Sequence, residues 1–207
     1  MLIKICGITD ATLAYQAAKA GAHYIGLIRV AHSKRVVQRE NVDEIVRATR
    51  LGGAEPVAIF SEANASEIIH FCELFHIHHV QLHGYQAKKA ESQLPENLHR
   101  IYVCEVGSHG KISAEDIQQT SQLNPQRDFL LFDSPTPGSG LAFDWQHFSY
   151  SGDFRWFLAG GLQRQNVAHA IQSVNPDGVD VSSGVENAAG EKTLQFIADF
   201  IKQVSLC

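Results

Sequence analysis

The sequence predicts a single-domain α/β protein of the (β/α)8 TIM-barrel class, spanning residues 1–207. Short apolar or β-branched runs alternate with segments of helical period, which is typical of βαβ units and a parallel sheet. Eight such runs are present, and eight βα units close into a barrel. With 207 residues there are about 26 per unit, near the lower size limit of this fold, so no second domain is expected. A doubly wound open sheet is the competing fold, but no G-x-G-x-x-G follows the first strand.

Four strands are predicted in the first half of the chain, and each is followed by a helix. The strands cover residues 3–6, 24–30, 56–60 and 79–82. The helices cover residues 9–20 before Gly21, 41–52 before a second glycine, a segment starting at 64, and about 86–94 before Pro95. Asn41 with Glu44, and Asn64 with Glu67, have the spacing of capping boxes that begin helices.

Four more strands are predicted in the second half, at residues 100–103, 128–133, 155–159 and 178–181. A helix is expected to begin at Ser113, and two others to cover residues 164–174 and 191–204. The connection after the sixth strand differs, because residues 134–142 are rich in Pro and Gly. Only a short helix near residues 143–148 is expected there. No linker or low-complexity segment divides the chain, which favours one domain.

Composition and charge exclude several classes of protein. The chain has 17 Lys and Arg against 22 Asp and Glu, a formal net charge of −5, which disfavours a general affinity for nucleic acid or anionic membranes. No apolar run approaches the roughly 18 residues that span a bilayer. The N-terminal MLIKICGIT is too short for a secretory signal, and the four cysteines lie far apart without a C-x-x-C pair. A soluble cytoplasmic protein with free thiols is expected.

In a (β/α)8 barrel, chemistry takes place at the carboxyl ends of the strands. Polar residues and glycines at these positions are therefore the candidates for the functional site. They are Cys6, Arg35, His83, Asp133, Gly160, Gly161 and the segment containing Asp180, Ser182, Ser183 and Gly184.

Two of these loops predict a phosphate site. Gly160 and Gly161 follow the seventh strand, and Ser182, Ser183 and Gly184 follow the eighth. Turns with small side chains expose backbone N–H groups to an anion, and these two loops form the usual phosphate site of the fold. The alternative is that the glycines only make tight turns. Because both loops carry the pattern, a phosphorylated small-molecule substrate is favoured.

Cys6 and Asp133 end the first and sixth strands and should face each other across the mouth of the barrel. By strand alternation Lys4 points the same way as Cys6, and Phe129 and Leu131 the same way as Asp133. A thiolate and a carboxylic acid facing a sugar can move a proton between adjacent carbons, which requires a lowered thiol pKa and a raised carboxyl pKa. The alternatives are a small buried apolar residue for Cys6 and a cap or loop hydrogen bond for Asp133.

The segment from Arg29 to Arg39 is basic, with Lys34 and Arg35 between them and no acidic residue. Most such runs are solvated surfaces. In a chain of net charge −5 the segment is also the natural place for a carboxylate at the far end of the substrate, which Arg35 could bind bidentately.

Five histidines, at positions 70, 76, 78, 79 and 83, raise the question of a metal site. His76 to His79 lead into a strand and should therefore lie at the end of the barrel away from the site, which disfavours a metal. His83, at the far end of that strand, could approach the substrate. The proposed proton transfer needs no metal.

Taken together, these motifs resemble those of the phosphoribosylanthranilate isomerase family. The resemblance covers nearly the whole chain and is carried by KICGIT at 4–9, SKR at 33–35, VQLHG at 80–84, LFD at 131–133, GSG at 138–140, FDW at 143–145, LAGGL at 158–162 and DVSSGVE at 180–186. It implies a cofactor-independent Amadori rearrangement of N-(5-phosphoribosyl)anthranilate, an aminoaldose, to 1-(2-carboxyphenylamino)-1-deoxyribulose 5-phosphate. This is the third step from chorismate to tryptophan, and the resemblance implies a monomer or homodimer.

The resemblance also implies roles for individual residues. Asp133 would protonate the furanose ring oxygen, Cys6 would take the proton from C2, and Arg35 would bind the anthranilate carboxylate. The Gly160–Gly161 and Ser182–Gly184 amides would bind the phosphate. The sequence departs from the usual pattern of the family at Arg29, His32 and Leu141, which replace an aromatic residue, a lysine and a polar residue.

Two other functions remain open from the sequence. Another phosphosugar isomerase or epimerase could use the same barrel, although such epimerases are expected to have paired carboxylates and metal-binding histidines, and only Asp133 fits clearly. A phosphate-ligand binder without catalytic activity would tolerate loss of Cys6 or Asp133, and both are present.

Overall fold

The structure is a computed structural model that describes residues 1–107, 109–134 and 143–207. Eight parallel strands pair in sequence order, and the last pairs with the first to close a barrel, which confirms the predicted fold class. The strands are β1 (Leu2–Cys6), β2 (Tyr24–Ile28), β3 (Glu55–Phe60), β4 (His79–Leu82), β5 (His99–Glu105), β6 (Phe129–Asp133), β7 (Arg155–Leu158) and β8 (Gly178–Val181).

Seven helices in the described residues connect or follow the strands. They are α1 (Ala11–Lys19), α2 (Val42–Gly52), α3 (Ala65–Leu74), α4 (Tyr85–Lys89), α5 (Ala114–Gln119), α6 (Val167–Val174) and α7 (Leu194–Ser205). Between β6 and β7 the one helical element in the described residues is a 3-10 turn at Trp145–His147, where the sequence predicts a short helix.

Helix starts distinguish the two predicted capping boxes. At α3 the Asn64 side chain accepts from the Glu67 N–H, and the Glu67 carboxylate accepts from the Asn64 N–H, so this prediction is confirmed. At α2 the prediction is wrong. Asn41 has a helical backbone because it ends a 3-10 turn that starts at Arg39, and its side chain makes no capping hydrogen bond. The turn already continues into the helix, so no extended capping residue is available.

Two other helices are shorter than the sequence pattern predicts. The helix expected over about 86–94 is divided into α4 and a 3-10 turn at Glu91–Gln93. The helix expected over 164–174 begins only at Val167, because Asn166 turns back to bind the Gln163 N–H and the Gly161 carbonyl. That Asn166 contact attaches the start of α6 to the loop that follows β7.

Strand alternation places the site-bearing side chains inside the barrel. Phe129 and Leu131 of β6 pack in an interior apolar cluster that includes Cys6, which confirms the predicted alternation. Lys4 of β1 is also fully buried. The interior below the mouth is therefore a packed layer of side chains, and the polar groups at the strand ends stand on it.

The histidines at positions 76, 78 and 79 lead into β4 at the amino-terminal end of the barrel. His79 begins β4, and its ring lies edge-on to Tyr24 and His99 at centroid distances of 5.3 and 4.9 Å. This placement, opposite the catalytic end, confirms the prediction. In the described ranges no helix has the length and apolar character needed to cross a bilayer.

Candidate active site

A cavity of about 290 Å³ opens at the carboxyl ends of the strands. Most of the predicted site residues line it, namely Cys6, Arg35, His83, Asp133, Asp180 and Ser182. These side chains come from five different strands or loops, so the closed barrel alone brings them together. Such convergence at this end is where the fold concentrates its chemistry.

A smaller recess adjoins this cavity between the loops after β7 and β8. It is lined by Gly160, Gly161, Ser182 and Ser183, with Asp133 at its edge. Both glycines have positive φ, 83° and 64°, a backbone conformation that other residues rarely adopt. The two predicted loops therefore meet in one place and form a cradle suited to an anion.

Gly184 allows these two loops to touch. A Cβ atom at this position would overlap the Leu162 carbonyl oxygen and lie 2.9 Å from Cα of Gln163, both in the loop after β7. Only a residue without a side chain fits such a close backbone approach. The Gly184 backbone thus fixes the spacing of the cradle.

Gly184→Ala is expected to separate the two loops and to raise KM for a phosphorylated substrate by about tenfold or more, since the loops would no longer line one recess at the same spacing. Steady-state kinetics of the variant provide the test. Gly107→Ala is the matched control, because Gly107 likewise has no positive φ and an added Cβ there would come no closer than 3.6 Å to a neighbouring atom. An unchanged KM in Gly184→Ala would contradict the role assigned to this contact.

Asp133 carries the carboxyl group with the most altered acidity in the cavity. Burial, followed by the nearby Asp180 carboxylate, raises its pKa to about 7, although a 2.8 Å hydrogen bond from the Ser134 N–H and the charge of Lys4 oppose this. Near neutral pH the side chain is therefore close to half protonated. It can act as an acid, as the sequence predicts.

Cys6 departs from the sequence-based expectation. Burial raises the pKa of its thiol, and the nearby charges of Lys4, Lys192 and Arg35 offset this only in part. The lowered pKa that a base requires is therefore not found at Cys6, because the thiol is removed from water and Asp180 adds a negative charge. A further positive charge near Cys6 is needed to lower the pKa of the thiol, so that its thiolate can act as a base.

Lys4 and Asp180 form the ion pair beneath Cys6. The Lys4 ammonium donates to Asp180 Oδ1 at 2.9 Å, with the lysine fully buried and the carboxylate nearly so. Burial alone would lower the pKa of Lys4, but Asp180 and Cys6 raise it above its ordinary value. Lys4 therefore keeps its positive charge beside the thiol, while Asp180 adds a negative charge there. Asp180, expected to contact substrate, is engaged by this lysine while still lining the cavity.

Arg35 is held in place by an acidic residue that the sequence analysis did not identify. Its Nε and one terminal NH₂ group both donate to the Glu186 carboxylate, the second at 3.0 Å. Burial would raise the pKa of Glu186, but hydrogen bonds from Arg35 and Lys192 lower it to about 2. Glu186 is thus ionised at neutral pH and orients the guanidinium.

Lys192 connects this network to the cradle. Its ammonium donates to Glu186 at 3.1 Å and to the Ser182 carbonyl at 2.8 Å. The Ser182 hydroxyl in turn donates to the Cys6 carbonyl at 3.2 Å. One chain of contacts therefore runs from Arg35 to the cradle and the end of β1.

The remaining members of the basic segment do not act together. Arg29 donates to the Val37 carbonyl and lies 5.0 Å from the centroid of the Phe71 ring, so it is turned away from the cavity. Arg39 is exposed, and Lys34 lies 3.6 Å from Glu186. Of the four basic residues in this segment, Arg35 is therefore the candidate that remains for binding a carboxylate. His32 lines the cavity, and Leu141 lies outside the described residues.

His83 lines the cavity as a neutral ring. Burial, with the neighbouring charges of Lys88 and Lys4, lowers its pKa to about 4. It can therefore donate or accept one hydrogen bond but carries no charge near neutral pH.

Gly26 was also missed by the sequence analysis. It pairs with Cys6 in the sheet, and a Cβ there would lie 3.3 Å from the thiol sulphur. Its lack of a side chain leaves space beside Cys6. A glycine inside a strand is the one signal of this in the sequence.

Comparisons with known proteins show the family to which the chain belongs. The family model described as N-(5'phosphoribosyl)anthranilate (PRA) isomerase matches residues 3–203. N-(5'-phosphoribosyl)anthranilate isomerase 1, chloroplastic, of Arabidopsis thaliana is 38% identical over 98% of this chain and 74% of its own. A crystal structure of the isomerase from Thermotoga maritima is 29% identical, covers both chains fully and has a TM-score of 0.79.

One further structure of the isomerase, 28% identical with a TM-score of 0.77, was solved in complex with reduced 1-(o-carboxyphenylamino)-1-deoxyribulose 5-phosphate, and each chain is covered fully. The family match spans almost the entire barrel, including the segments that carry Cys6, Asp133 and both cradle loops. The chain therefore belongs to the N-(5'-phosphoribosyl)anthranilate isomerase family.

Proposed function

We propose that Asp133 and Cys6 are the acid and base with which this protein converts N-(5-phosphoribosyl)anthranilate to 1-(2-carboxyphenylamino)-1-deoxyribulose 5-phosphate in tryptophan biosynthesis. The observation that carries the proposal is a carboxyl group with a pKa of about 7 in the same cavity as a thiol, beside a cradle for an anion. An acid active at neutral pH is what opening of a sugar ring requires.

The first step opens the furanose ring. Asp133 gives its proton to the ring oxygen, and the anthranilate nitrogen supplies the electron pair that breaks the bond between C1 and that oxygen. The product is an iminium ion, a protonated Schiff base with its positive charge at C1 and nitrogen. Asp133 becomes a carboxylate, which Lys4 and the Ser134 N–H stabilise.

The second step uses the charge created by the first. The iminium ion acidifies the hydrogen on C2. Cys6 enters the cycle as a thiolate that has already released its proton to solvent; burial raises the pKa of the thiol, and the positive charge of the iminium ion favours the anionic form. The thiolate takes the C2 proton, a double bond forms between C1 and C2, and the nitrogen recovers its electron pair. The positive charge of Lys4 stabilises the thiolate until the transfer occurs.

The third step yields the ketone and restores the enzyme. The enolamine gains a proton at C1 and loses one from the oxygen on C2. Cys6 holds the proton to be delivered, and the Asp133 carboxylate can accept the one released. Both groups return to their starting protonation states, so no oxidant, reductant or cofactor enters the balance.

The two ends of the substrate fit the two ends of the site. The phosphate would bind the amides of Gly160, Gly161, Ser183 and Gly184, with Ser182 held in position by Lys192. The anthranilate carboxylate would bind the part of the Arg35 guanidinium that Glu186 leaves free. His83, which is neutral, would contact the substrate without adding charge.

Arg35→Ala is expected to raise KM about ten- to hundredfold with a smaller effect on kcat, because a charged hydrogen bond made in both ground state and transition state is lost. Glu186→Gln should raise KM less, since the arginine remains but is no longer held by an ion pair. Steady-state kinetics test both variants, with exposed Arg47→Ala as control. An unchanged KM in Arg35→Ala would remove this residue from carboxylate binding.

The decisive experiment follows the fluorescence of freshly prepared phosphoribosylanthranilate after the protein is added. Rapid, protein-dependent loss of the fluorescence, with formation of the aminoketose confirmed by mass spectrometry and NMR, is expected. Decay at the rate of buffer alone would reject the function.

We also infer a cytoplasmic location and a monomeric or homodimeric state. All four cysteines are free thiols, which suits a reducing compartment. The Arabidopsis relative is described as chloroplastic, so the compartment differs among relatives. Cell fractionation tests the location, and light scattering of the purified protein tests the assembly.

A further inference from the structure

Gln81, in the middle of β4, has a polar group without a partner. Its side chain is buried, 3% exposed, and its Oε1 atom has no hydrogen-bond partner among the described residues. The residue lines the cavity that also contains Cys6 and Asp133. A buried amide oxygen of this kind is destabilising for the free protein and calls for an explanation.

The neighbours of Gln81 cannot satisfy this oxygen. Its register partners on the adjacent strands are Ile59 and Ile101, whose side chains have no donors. Lys4, a buried cation of the barrel interior, donates its one side-chain hydrogen bond among the described residues to Asp180. The amide is therefore flanked by apolar side chains on both neighbouring strands, and the residue lines the cavity.

The missing partner must be a hydrogen-bond donor that arrives with the ligand. In the proposed substrate the phosphate and the carboxylate offer only acceptors at neutral pH, and each has its own place in the site. The substrate has two kinds of donor: the anilino N–H, which lies next to its own ortho carboxylate, and the hydroxyl groups of the ribosyl part, which lie between those two ends. We propose that Gln81 positions the substrate by accepting a hydrogen bond from a hydroxyl group of its ribosyl part, an inference that rests on the proposed function.

The position of Gln81 explains what this contact achieves. In a closed barrel of eight strands β4 lies opposite β8, so Gln81 faces the side of the cavity that carries Asp180 and the cradle. A hydrogen bond from this side fixes the rotation of the sugar about the line between phosphate and anthranilate. C2 is then presented to Cys6 in one orientation, which is a condition for proton transfer.

A pair of ligands tests the proposal directly. The first is reduced 1-(2-carboxyphenylamino)-1-deoxyribulose 5-phosphate, which has hydroxyl groups along its chain. The second is 5-(2-carboxyphenylamino)pentyl phosphate, with the same two ends and no hydroxyl group. Calorimetry with the wild type, Gln81→Met and Gln81→Leu should show that both variants bind the first ligand about tenfold more weakly and the second within about twofold of the wild type.

The midpoint of thermal unfolding provides a second readout. If Gln81 had only a structural role, its replacement would lower this midpoint. Gln81→Met removes an unpartnered buried amide, so the midpoint of thermal unfolding of the free protein should be unchanged or raised. Gln122→Met, at an exposed position, is the matched control and should change neither binding nor stability. A lowered midpoint together with equal weakening of both ligands would overturn the proposal in favour of packing.

The remaining outcomes are also decisive. If the variants bind the hydroxylated ligand as tightly as the wild type, Gln81 does not contact the sugar and the proposal is wrong. If the wild type itself binds neither ligand and leaves phosphoribosylanthranilate unchanged, the proposed function fails and the inference fails with it. The wild-type measurements therefore separate the two failures.

Discussion

Asp133→Asn is expected to lower kcat by ~10² to 10⁴-fold, because an amide cannot give a proton to the ring oxygen. The amide is nearly the same size as the carboxyl group and still accepts the hydrogen bond from Ser134, so substrate binding should change little. Stopped-flow or steady-state fluorescence of phosphoribosylanthranilate provides kcat and KM. Asp153→Asn, at an exposed position, is the matched control.

The same variant should be more stable than the wild type in mildly alkaline solution. The folded-state pKa of Asp133 is about 7, above the ordinary value of 3.8, so the folded protein binds the proton more tightly than the unfolded chain. Ionisation therefore destabilises the fold as pH rises from about 4 through 7, and stability is greatest below this range. At pH 8 Asn avoids that cost, and thermal unfolding should show a higher midpoint. A variant that loses both stability and turnover would instead indicate damage to the fold.

The pH dependence of kcat/KM should also report Asp133. The productive state has Asp133 protonated and Cys6 as thiolate, whereas the raised thiol pKa makes the opposite arrangement the abundant one above pH 7. Below about 7 the acid is already protonated and the thiolate fraction rises with pH, so kcat/KM rises. Above about 7 loss of the acid cancels this gain and the profile becomes level until the thiol ionises. In Asp133→Asn the bend near 7 should disappear, and a bend that persists would assign it to another group.

The fold could be predicted from the sequence because each strand and helix has a recognisable local sequence pattern. The β6 strand reads as a continuous apolar run, and the Asn64 capping box marks α3. The α2 start misled because a capping-box spacing does not show whether the preceding residues already form a 3-10 turn, as those before Val42 do. Strand and helix order, which depend on many residues, are more robust than any single boundary.

The site could be predicted only in part, because its charge states depend on contacts between residues that are distant in the sequence. Glu186 holds Arg35 across 151 residues, and no spacing rule predicts that pair. The sign of the pKa shift at Cys6 depends on how completely the barrel excludes water, which sequence position does not reveal. Strand ends show where groups converge, and packing decides what each group becomes.

Replacing Cys6 is the second change expected to abolish most of the activity. Cys6→Ser places a hydroxyl group at the end of β1, and its far higher pKa leaves almost no oxyanion to take the C2 proton. We expect kcat to fall by ~10² or more with KM little changed, since the residue is assigned to proton transfer rather than to binding. Cys207→Ser removes the exposed thiol and is the matched control, with no expected change.

The fate of the hydrogen on C2 would distinguish this role from a steric one. Asp133 still opens the ring in Cys6→Ser, so the Schiff base forms and should return to the starting sugar without exchange at C2. Substrate prepared with deuterium at C2 should therefore keep its label when it is recovered from Cys6→Ser. The wild type should show a primary isotope effect with this substrate. Asp133→Asn should show none if ring opening limits its rate. Rapid rearrangement by Cys6→Ser would mean that another group takes the proton. Cys6 would then be one of the apolar residues that fill the mouth, and Lys4 and Gly26 would have been placed around the thiol for packing alone. The kinetics of Cys6→Ser therefore decide whether Cys6 acts as a thiolate base. Burial opposes the thiolate, whereas Lys4 and the iminium ion created by the acid favour it.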